Sequence, residues 1–184
     1  ARAGEASRRE LHALTFGDFQ GFSKLGEAQI PAFVEHLLGA VARVLAEFDT
    51  EIDLRNTWGD GIHLVMQSAQ AAARCALALQ DVMADLPLER LGFGDIQLRL
   101  GLHFGPIRRM RDPVTGRDTF YGEHVSRTAR IEPITVPGSI YVSERFAAEL
   151  ALSPDAPFAC DYIGDIPLAK DYMKSRMYVL RSSR

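Results

Sequence analysis

Apolar positions along the chain follow two periods, and these predict alternating strands and helices. Apolar or β-prone residues at period two, or in short runs, predict strands over residues 12–19, 52–58, 62–66 and 96–104. Apolar residues spaced three and four apart predict helices over 30–48 and 72–86. We also expect helices over 122–132 and after Ser143, and strands over 140–142, 158–166 and 177–180.

The predicted order is β-α-β-β-α-β, followed by a further hairpin, helices and strands. This is the ferredoxin-like split βαβ arrangement, so we expect an α+β fold with an extra hairpin and C-terminal strands. Nothing in residues 1–184 resembles an interior linker, which predicts a single domain. In this arrangement the first strand lies beside the hairpin that follows it, so segments that are distant in sequence meet there.

The composition is that of an ordinary globular domain. The 184 residues are 47% hydrophobic and 24% charged, with a formal net charge of −3. This charge gives no reason to expect a nucleic-acid partner, and no apolar run approaches the roughly 18 residues that span a membrane. Because the sequence starts with Ala1, we expect a piece of a longer protein. No signal peptide is visible, and we expect a cytoplasmic location. Cys75 and Cys160 are expected to be buried free thiols, and the five histidines show no zinc-ligand spacing.

Two acidic residues lie in short segments rich in glycine and aromatic residues, at predicted strand ends. Asp18 lies in FGDFQGFS at 16–23, and Asp60 lies in TWGDG at 57–61, the tip of a predicted hairpin. A lone aspartate in a turn is most often a cap or a solvated turn residue. Two carboxylates beside glycine-rich turns can instead hold divalent metals against a phosphate, which is the apparatus of phosphoryl and nucleotidyl transfer.

Five segments, in the same order and with compatible spacing, resemble the catalytic domain of class III nucleotidyl cyclases, the adenylyl and guanylyl cyclase homology domain. DFQGFS at 18–23 is similar to the family's D-I-x-G-F-[ST], and WGD at 58–60 is similar to its G-D metal turn. GLHFG at 101–105 resembles G-x-H-x-G, GEHVSRTARIE at 122–132 resembles G-x-x-V-N-x-A-[AS]-R-[LI]-E, and PGSIYVSE at 137–144 resembles P-G-x-I-x-V-[ST]-x. The resemblance covers nearly the whole chain, from residue 14 to residue 180.

The resemblance implies a metal-dependent conversion of a nucleoside triphosphate to a 3′,5′-cyclic nucleotide and pyrophosphate. It also implies a head-to-tail homodimer with its active sites at the interface. In each site Asp18, Asp60 and the backbone carbonyl of Phe19 would bind two Mg²⁺ or Mn²⁺ ions. The turn that carries Phe22 and Ser23 would offer backbone amides to the phosphates of the substrate.

The same resemblance implies roles for residues further along the chain. Arg130 would come from the other subunit and offset charge on the reacting phosphate. Ser126 stands where the family has a transition-state asparagine, and its shorter side chain predicts a slower enzyme, by about one to two orders of magnitude. Lys170 is the first candidate for the lysine that binds the triphosphate, and Lys174 is the second.

Two positions that read the base in the family depart from its usual residues. Asn56 stands four residues before Asp60, where lysine marks adenine and glutamate marks guanine, and a neutral amide can both donate and accept. Thr119 stands at the second such position, and a hydroxyl there is compatible with adenine, cytosine or uracil. The base therefore stays open between adenine and a pyrimidine, the latter as in the cyclic UMP signalling of phage defence.

A second interpretation belongs to another class of protein, a catalytically weak or inactive cyclase-homology domain that acts as a nucleotide-binding or dimerisation module. Asn56 and Ser126 favour this interpretation. The paired acids Asp18 and Asp60 disfavour it, because a pure scaffold has no need of them. A diguanylate-cyclase-like domain shares the strand order but requires a G-G-[DE]-E-F turn, which WGDG at 58–61 is not.

Overall fold

A mixed sheet of eight strands forms the centre of the fold in the part of the chain that the computed structural model describes, residues 8–153, 156–170 and 172–183. The strands are β1 (Arg9–Gln20), β2 (Ile52–Trp58), β3 (Gly61–Met66), β4 (Gln97–Arg111), β5 (Asp118–Tyr121), β6 (Ile140–Ser143), β7 (Phe158–Leu168) and β8 (Tyr172–Ser182). The α-helices are α1 (Ile30–Phe33), α2 (Gly39–Glu47), α3 (Ala69–Asp85), α4 (Glu123–Ile131) and α5 (Glu144–Ala151).

The strand order confirms the predicted ferredoxin-like core. Neighbouring strands follow the order β2-β3-β1-β4-β6-β8-β7, and β5 pairs with β4. The first four strands in this order pair antiparallel, as a split βαβ unit requires. β6 then joins β4 in parallel, and β8 and β7 extend the sheet as the additional C-terminal strands.

Apolar layers cover both faces of the sheet. On one face the helices α1, α2, α3 and α5 pack on the main core, which includes Phe19 of β1. On the other face Val125 of α4 packs on a smaller cluster, formed by Leu14, Val65, Ile107 and Phe120. Because side chains alternate between faces along a strand, Asp18 points away from the main core and toward the face that α4 covers.

The helix predicted over 30–48 is present but contains a wide turn. α1 and α2 are joined by a π-helical turn, Val34–Leu38, which the apolar spacing did not predict. By length and composition alone, the segment Glu27–Glu47 could cross a membrane. Its side chains Phe33, Leu37 and Val41 are at most 2% exposed and pack in the main core, so this segment is a core element of the domain.

Two expectations about these elements need correction. β4, β7 and β8 are longer than the strands predicted at 96–104, 158–166 and 177–180, because each continues into a paired hairpin arm. Cys75 and Cys160 are both free, but only Cys75 is buried as expected. Cys160 is half-buried because β7 is an edge strand that has a neighbour on one side only.

Candidate active site

The end of β1 and the β2–β3 hairpin bring Asp18 and Asp60 together. β1 pairs antiparallel with β3, with Asp18 opposite Gly61, so the end of the strand lies directly beside the hairpin turn. Gly59 and Asp60 form this turn, and Gly59 takes a φ of 58°, a left-handed conformation that suits glycine at the first position of a two-residue hairpin. Two acids that are distant in sequence therefore share one end of the sheet, as the predicted topology requires.

The carboxyl groups of Asp18 and Asp60 are within hydrogen-bonding reach of each other. Burial, the hydrogen bond to Asp18 and the negative charge of Asp18 raise the pKa of Asp60 from 3.8 to about 6. All three act in the same direction because each disfavours a second negative charge at this place. A pair of carboxylates held this close favours a compensating cation, either a protein side chain or a metal ion.

A protein cation already contacts this pair. Arg99 lies opposite Asp18 on β4, and its Nη2 atom donates a hydrogen bond to Oδ2 of Asp18 at 2.8 Å. Its Nε atom lies 2.6 Å from Oε1 of Glu132, which forms an ion pair on another edge of the same guanidinium. Burial raises the pKa of Glu132, and the charge of Arg99 acts against this rise. Sequence reasoning assigned no role to Arg99 or Glu132.

A glycine on β4 allows Glu132 to reach Arg99. A Cβ atom on Gly101 would lie 2.6 Å from the backbone nitrogen of Glu132 and 2.9 Å from Cγ2 of Ile131. The first of these contacts involves backbone, so rotation of a side chain could not relieve it. Gly101 therefore lets the end of α4 approach the sheet closely, and this approach positions Glu132 against the guanidinium.

The other residues predicted to bind the metal ions or the phosphates lie near Asp18 and Asp60. The ring of Phe19 is buried against Phe33, with 5.2 Å between ring centroids, so its backbone carbonyl is the group that can serve as a ligand. Phe22 and Ser23 lie in a short 3₁₀ turn that follows β1. Phe22 also packs on Phe33 and lies beside Gly59, whereas Ser23 is exposed. The turn after β1 therefore adjoins the turn that carries the second acid.

Ser126, Arg130 and Lys170 form a second group on other elements. Ser126 and Arg130 lie one turn apart on α4, and Ser126 is exposed. The guanidinium of Arg130 lies over the ring of Tyr172 at 4.1 Å, and its backbone carbonyl accepts a hydrogen bond from Ala169 in the β7–β8 turn. Lys170 is exposed in that same turn. Within residues 8–153, 156–170 and 172–183, Arg130 makes no ion pair with either acid of the β1 end.

The two positions predicted to read the base lie on different strands. Asn56 is exposed on β2, the strand that leads to Asp60, and its Oδ1 atom accepts a hydrogen bond from the backbone N–H of Thr57 at 3.0 Å. Thr119 is half-buried on β5, directly before α4. Lys174, the second candidate for the triphosphate lysine, is exposed on β8. Asn56 thus lies on the same hairpin as Asp60, whereas Thr119 and Lys174 lie on the elements around α4.

The oxygen donors at the β1 end fit a divalent cation that keeps part of its own water. Proteins commonly bind Mg²⁺ through one or two carboxylates together with substrate phosphates. Asp18 and Asp60 supply two carboxylates in contact, and the carbonyl of Phe19 offers a further oxygen on the same strand. Among the described residues, no three His, Cys, Asp or Glu side chains form a complete metal site. Water and phosphate oxygens would therefore fill the remaining positions.

Metal binding at this pair is expected to depend on pH through Asp60, because a metal ion must displace its proton. With a pKa of about 6, the affinity for Mn²⁺ should rise about tenfold per pH unit below pH 6 and level off above it. In the metal-free protein the raised pKa stabilises the fold at low pH, and this contribution is lost as the pH rises from 3.8 to about 6. Calorimetric titration with Mn²⁺ at several pH values measures the affinity, and an affinity that is independent of pH would contradict the prediction.

The chain resembles known proteins over nearly its whole length. The sequence model of the family described as "Adenylate and Guanylate cyclase catalytic domain" matches residues 5–182. A protein of Rhizobium meliloti (strain 1021) named "Putative adenylate cyclase 3" is 34% identical over 148 residues, which cover 77% of this chain and 24% of that protein. The chain thus spans about a quarter of the length of this curated relative.

Solved structures of cyclases share the fold. The adenylyl cyclase CyaB from P. aeruginosa superposes with a TM-score of 0.83 at 18% identity, with 98% of both chains covered. The guanylate cyclase domain of RhGC from Catenaria anguillulae, solved in complex with GTP, superposes with a TM-score of 0.79 at 16% identity, covering 97% of this chain and 100% of that one. With the sequence match over nearly its full length, this chain belongs to the family of adenylate and guanylate cyclase catalytic domains.

Proposed function

We propose that this domain is a metal-dependent nucleotidyl cyclase, which converts a nucleoside triphosphate into a 3′,5′-cyclic nucleotide and pyrophosphate. The observation that carries the proposal is the contact between the carboxyl groups of Asp18 and Asp60 at one end of the sheet. A domain that acted only as a scaffold would gain nothing from this contact, because the repulsion of two acids destabilises the fold. The family match supports the same class of reaction.

In the proposed reaction the ribose 3′-oxygen bonds to the α-phosphorus while the bond to pyrophosphate breaks. The bound divalent cations would supply activation of the 3′-hydroxyl and neutralisation of the triphosphate. Asp18 and Asp60 would hold them, and Asp60 must give up its proton to do so. Arg99, which donates to Asp18 at 2.8 Å, can turn its donors to phosphate oxygens when the acids engage metal. Glu132 keeps the guanidinium at this place through its 2.6 Å ion pair.

We propose further that a second copy of the chain completes each active site. Ser126 is exposed, and Arg130 lies over Tyr172 instead of over the acids of its own subunit. The side chain of Trp58, on the hairpin that carries the acids, is 56% exposed, and that of Met173, next to Tyr172, is 57% exposed. Single exposed apolar side chains are common on protein surfaces, but these two lie beside the two separated parts of the proposed site, the acids and Arg130. A head-to-tail dimer would cover both and place the arginine of one subunit against the acids of the other.

Incubation of the purified protein with Mn²⁺ and each of ATP, GTP, CTP and UTP tests the proposed reaction. We expect mass spectrometry to detect a cyclic nucleotide from at least one of the four. The assay is best run at protein concentrations that favour dimers, because the proposed site needs two subunits. Absence of product from all four nucleotides would contradict the enzymatic proposal and favour a nucleotide-binding or dimerisation module.

We propose adenine or a pyrimidine such as uracil as the preferred base. The neutral amide of Asn56 departs from the residues that mark adenine or guanine in the family, and the hydroxyl of Thr119 can pair with adenine, cytosine or uracil. Formation of cyclic UMP would fit a role in phage-defence signalling. We propose that the reaction takes place in the cytoplasm, where nucleoside triphosphates are available.

Asn56→Lys is expected to shift the product ratio toward cyclic AMP by about tenfold, because lysine at this position marks adenine in the family. The measurement is the ratio of the four cyclic products under competition. Arg55→Lys is the matched control, since it places a lysine on the neighbouring position of β2, which is also exposed. Unchanged ratios in Asn56→Lys would contradict a base-reading role for this residue.

A further inference from the structure

An exposed tryptophan lies beside the acidic pair. Trp58 is the last residue of β2, two residues before Asp60, and it is 56% exposed. It is opposite Gly61 of β3, and Gly61 is in turn opposite Asp18 of β1. Because directly opposite residues point to the same face, the indole and the carboxylate of Asp18 share one face of the sheet. Neighbouring strands lie about 5 Å apart, so the two backbones are about 10 Å apart.

The glycine between these two residues lets the indole lie over β3. A Cβ atom on Gly61 would lie 3.7 Å from Cε3 of Trp58, so the six-membered part of the indole lies against the backbone of Gly61. Gly61 has no side chain that could separate the indole from Asp18 along this row of the sheet. A ligand can therefore extend along the row from the indole to the acids.

Two further rings support the indole from the neighbouring strands. Phe16 of β1 is opposite His63 of β3, and their rings stack with 4.2 Å between centroids and 18° between planes. The centroid of Trp58 lies 6.1 Å from that of His63 and 6.4 Å from that of Phe16, with its plane within 20° of both. The rings of Phe16, His63 and Trp58 are thus nearly parallel, and we call them the aromatic group. A ring that is already held in one orientation binds a flat ligand at a lower entropic cost.

The aromatic group contains a buried polar atom without a partner. His63 is 5% exposed, and its Nε2 atom has no hydrogen-bond partner among the residues that the structure describes. Burial lowers the pKa of His63 to about 4, so its ring is neutral at pH 7. Buried polar groups normally have a partner, and His63 is directly opposite Asn56, which the proposed function assigns to the base. These features suit a ligand that has a flat face and a polar edge.

We propose that the nucleobase of the substrate stacks on Trp58, which makes this tryptophan a substrate-binding residue. The inference rests on the proposed function, because the acids beside the indole are the groups that would hold the metal-bound triphosphate. Stacking on an aromatic ring contributes to the affinity for any base, since every base has a flat π face. A stacked base needs no charged residue to hold it, which fits the neutral amide of Asn56.

Trp58 is the one tryptophan in the sequence, so the intrinsic tryptophan fluorescence of the native protein reports on this residue alone. The test is a titration in Mg²⁺ with the 3′-deoxy forms of ATP, GTP, CTP and UTP, which lack the attacking 3′-oxygen and cannot cyclise. Excitation is set at a wavelength that nucleotides do not absorb. At least one of the four should quench the emission saturably. Inorganic tripolyphosphate, which has no base, should bind without quenching.

Calorimetric titration of variants measures the contribution of stacking to affinity. Trp58→Leu should weaken the binding of the same nucleotide about 10- to 100-fold, the usual effect of removing one stacked ring, and should leave the affinity for tripolyphosphate unchanged. Trp58→Phe keeps a smaller ring and should retain most of the affinity. Tyr162→Leu is the matched control, because Tyr162 is 55% exposed on β7, the strand at the other edge of the sheet. This control should bind nucleotide as the native protein does.

Nucleotide binding without a change in emission, or with native affinity in Trp58→Leu, would overturn the inference and leave the proposed cyclase reaction standing. Equal weakening of nucleotide and tripolyphosphate binding in Trp58→Leu would also overturn it, because the indole would then act through the shape of the hairpin. Quenching by nucleotides without any cyclic product in the Mn²⁺ assay would instead contradict the proposed reaction alone. Absence of nucleotide binding would overturn both.

Discussion

Asp60→Asn is expected to lower the rate of cyclic nucleotide formation about a thousandfold at saturating Mn²⁺ and nucleotide. The amide keeps the shape of the side chain but offers only a neutral oxygen, which is a poor ligand for a divalent cation. At pH 7 the same change should leave the melting temperature unchanged or raise it, because it removes a charge that burial and Asp18 disfavour. Initial rates from mass spectrometry and thermal unfolding followed by circular dichroism measure the two effects.

The opposite directions of these effects separate a metal-binding role from a structural one. Asp81→Asn is the matched control, because Asp81 is an exposed aspartate on α3, outside the candidate site, and its replacement should change neither activity nor stability. A native rate in Asp60→Asn would remove the basis of the two-metal proposal. A parallel loss of activity and stability would assign Asp60 a structural role in the hairpin.

The acidic pair could be predicted from the sequence because local chemistry marks both of its positions. Asp18 and Asp60 each follow a glycine at the end of a recognisable strand, and the order of elements then places β1 beside the hairpin. The order of the secondary-structure elements is therefore enough to bring together two residues that local motifs already mark. The same reasoning predicted the core of the sheet, because the apolar positions that indicated β3 and β4, among them Ile62, Leu64, Leu98 and Leu100, are buried in the structure.

The contacts of Arg99 and Glu132 at the acidic pair could not be predicted from local sequence, because they depend on long-range packing. In the sequence Arg99 is a polar position of an alternating strand, which is the pattern of a solvated face. Only the register of β1 against β4 places it opposite Asp18, and register is not encoded by local spacing. Glu132 reaches it because Gly101 admits the end of α4, a contact between segments that are far apart in the chain.

Local spacing also could not reveal the π-helical turn Val34–Leu38 or the buried histidine pair. Apolar residues three and four apart fit both a regular α-helix and one that carries a single wide turn, and the packing of Phe33 and Leu37 decides between them. His103 and His124 show no ligand spacing in the sequence, and both are buried in the structure. Their 2.7 Å contact exists because α4 crosses β4, which no motif in the sequence specifies.

Arg130→Ala and Asp60→Asn, each nearly inactive alone, are expected to restore activity when mixed. In the proposed dimer the acids of one subunit meet Arg130 of the other, so a mixed dimer carries one intact site and one site with both changes. Random pairing of equal amounts places half of the chains in mixed dimers, and about a quarter of the native activity should return. Arg130→Ala alone should lower the rate about 100- to 1,000-fold, the usual effect of removing one donor that stabilises developing charge.

Asp18→Asn mixed with Asp60→Asn is the control, because both acids belong to one subunit and no pairing of these two variants rebuilds a site. Thermal unfolding of Arg130→Ala is measured beside it, since this variant also loses the contact of the guanidinium with Tyr172. Restored activity in the control mixture, or none in the test mixture while both variants remain dimeric, would rule out a shared site. One subunit holds Asp18, Asp60 and Arg99 in contact but keeps Arg130 elsewhere, so a shared site also predicts that activity per chain rises with protein concentration.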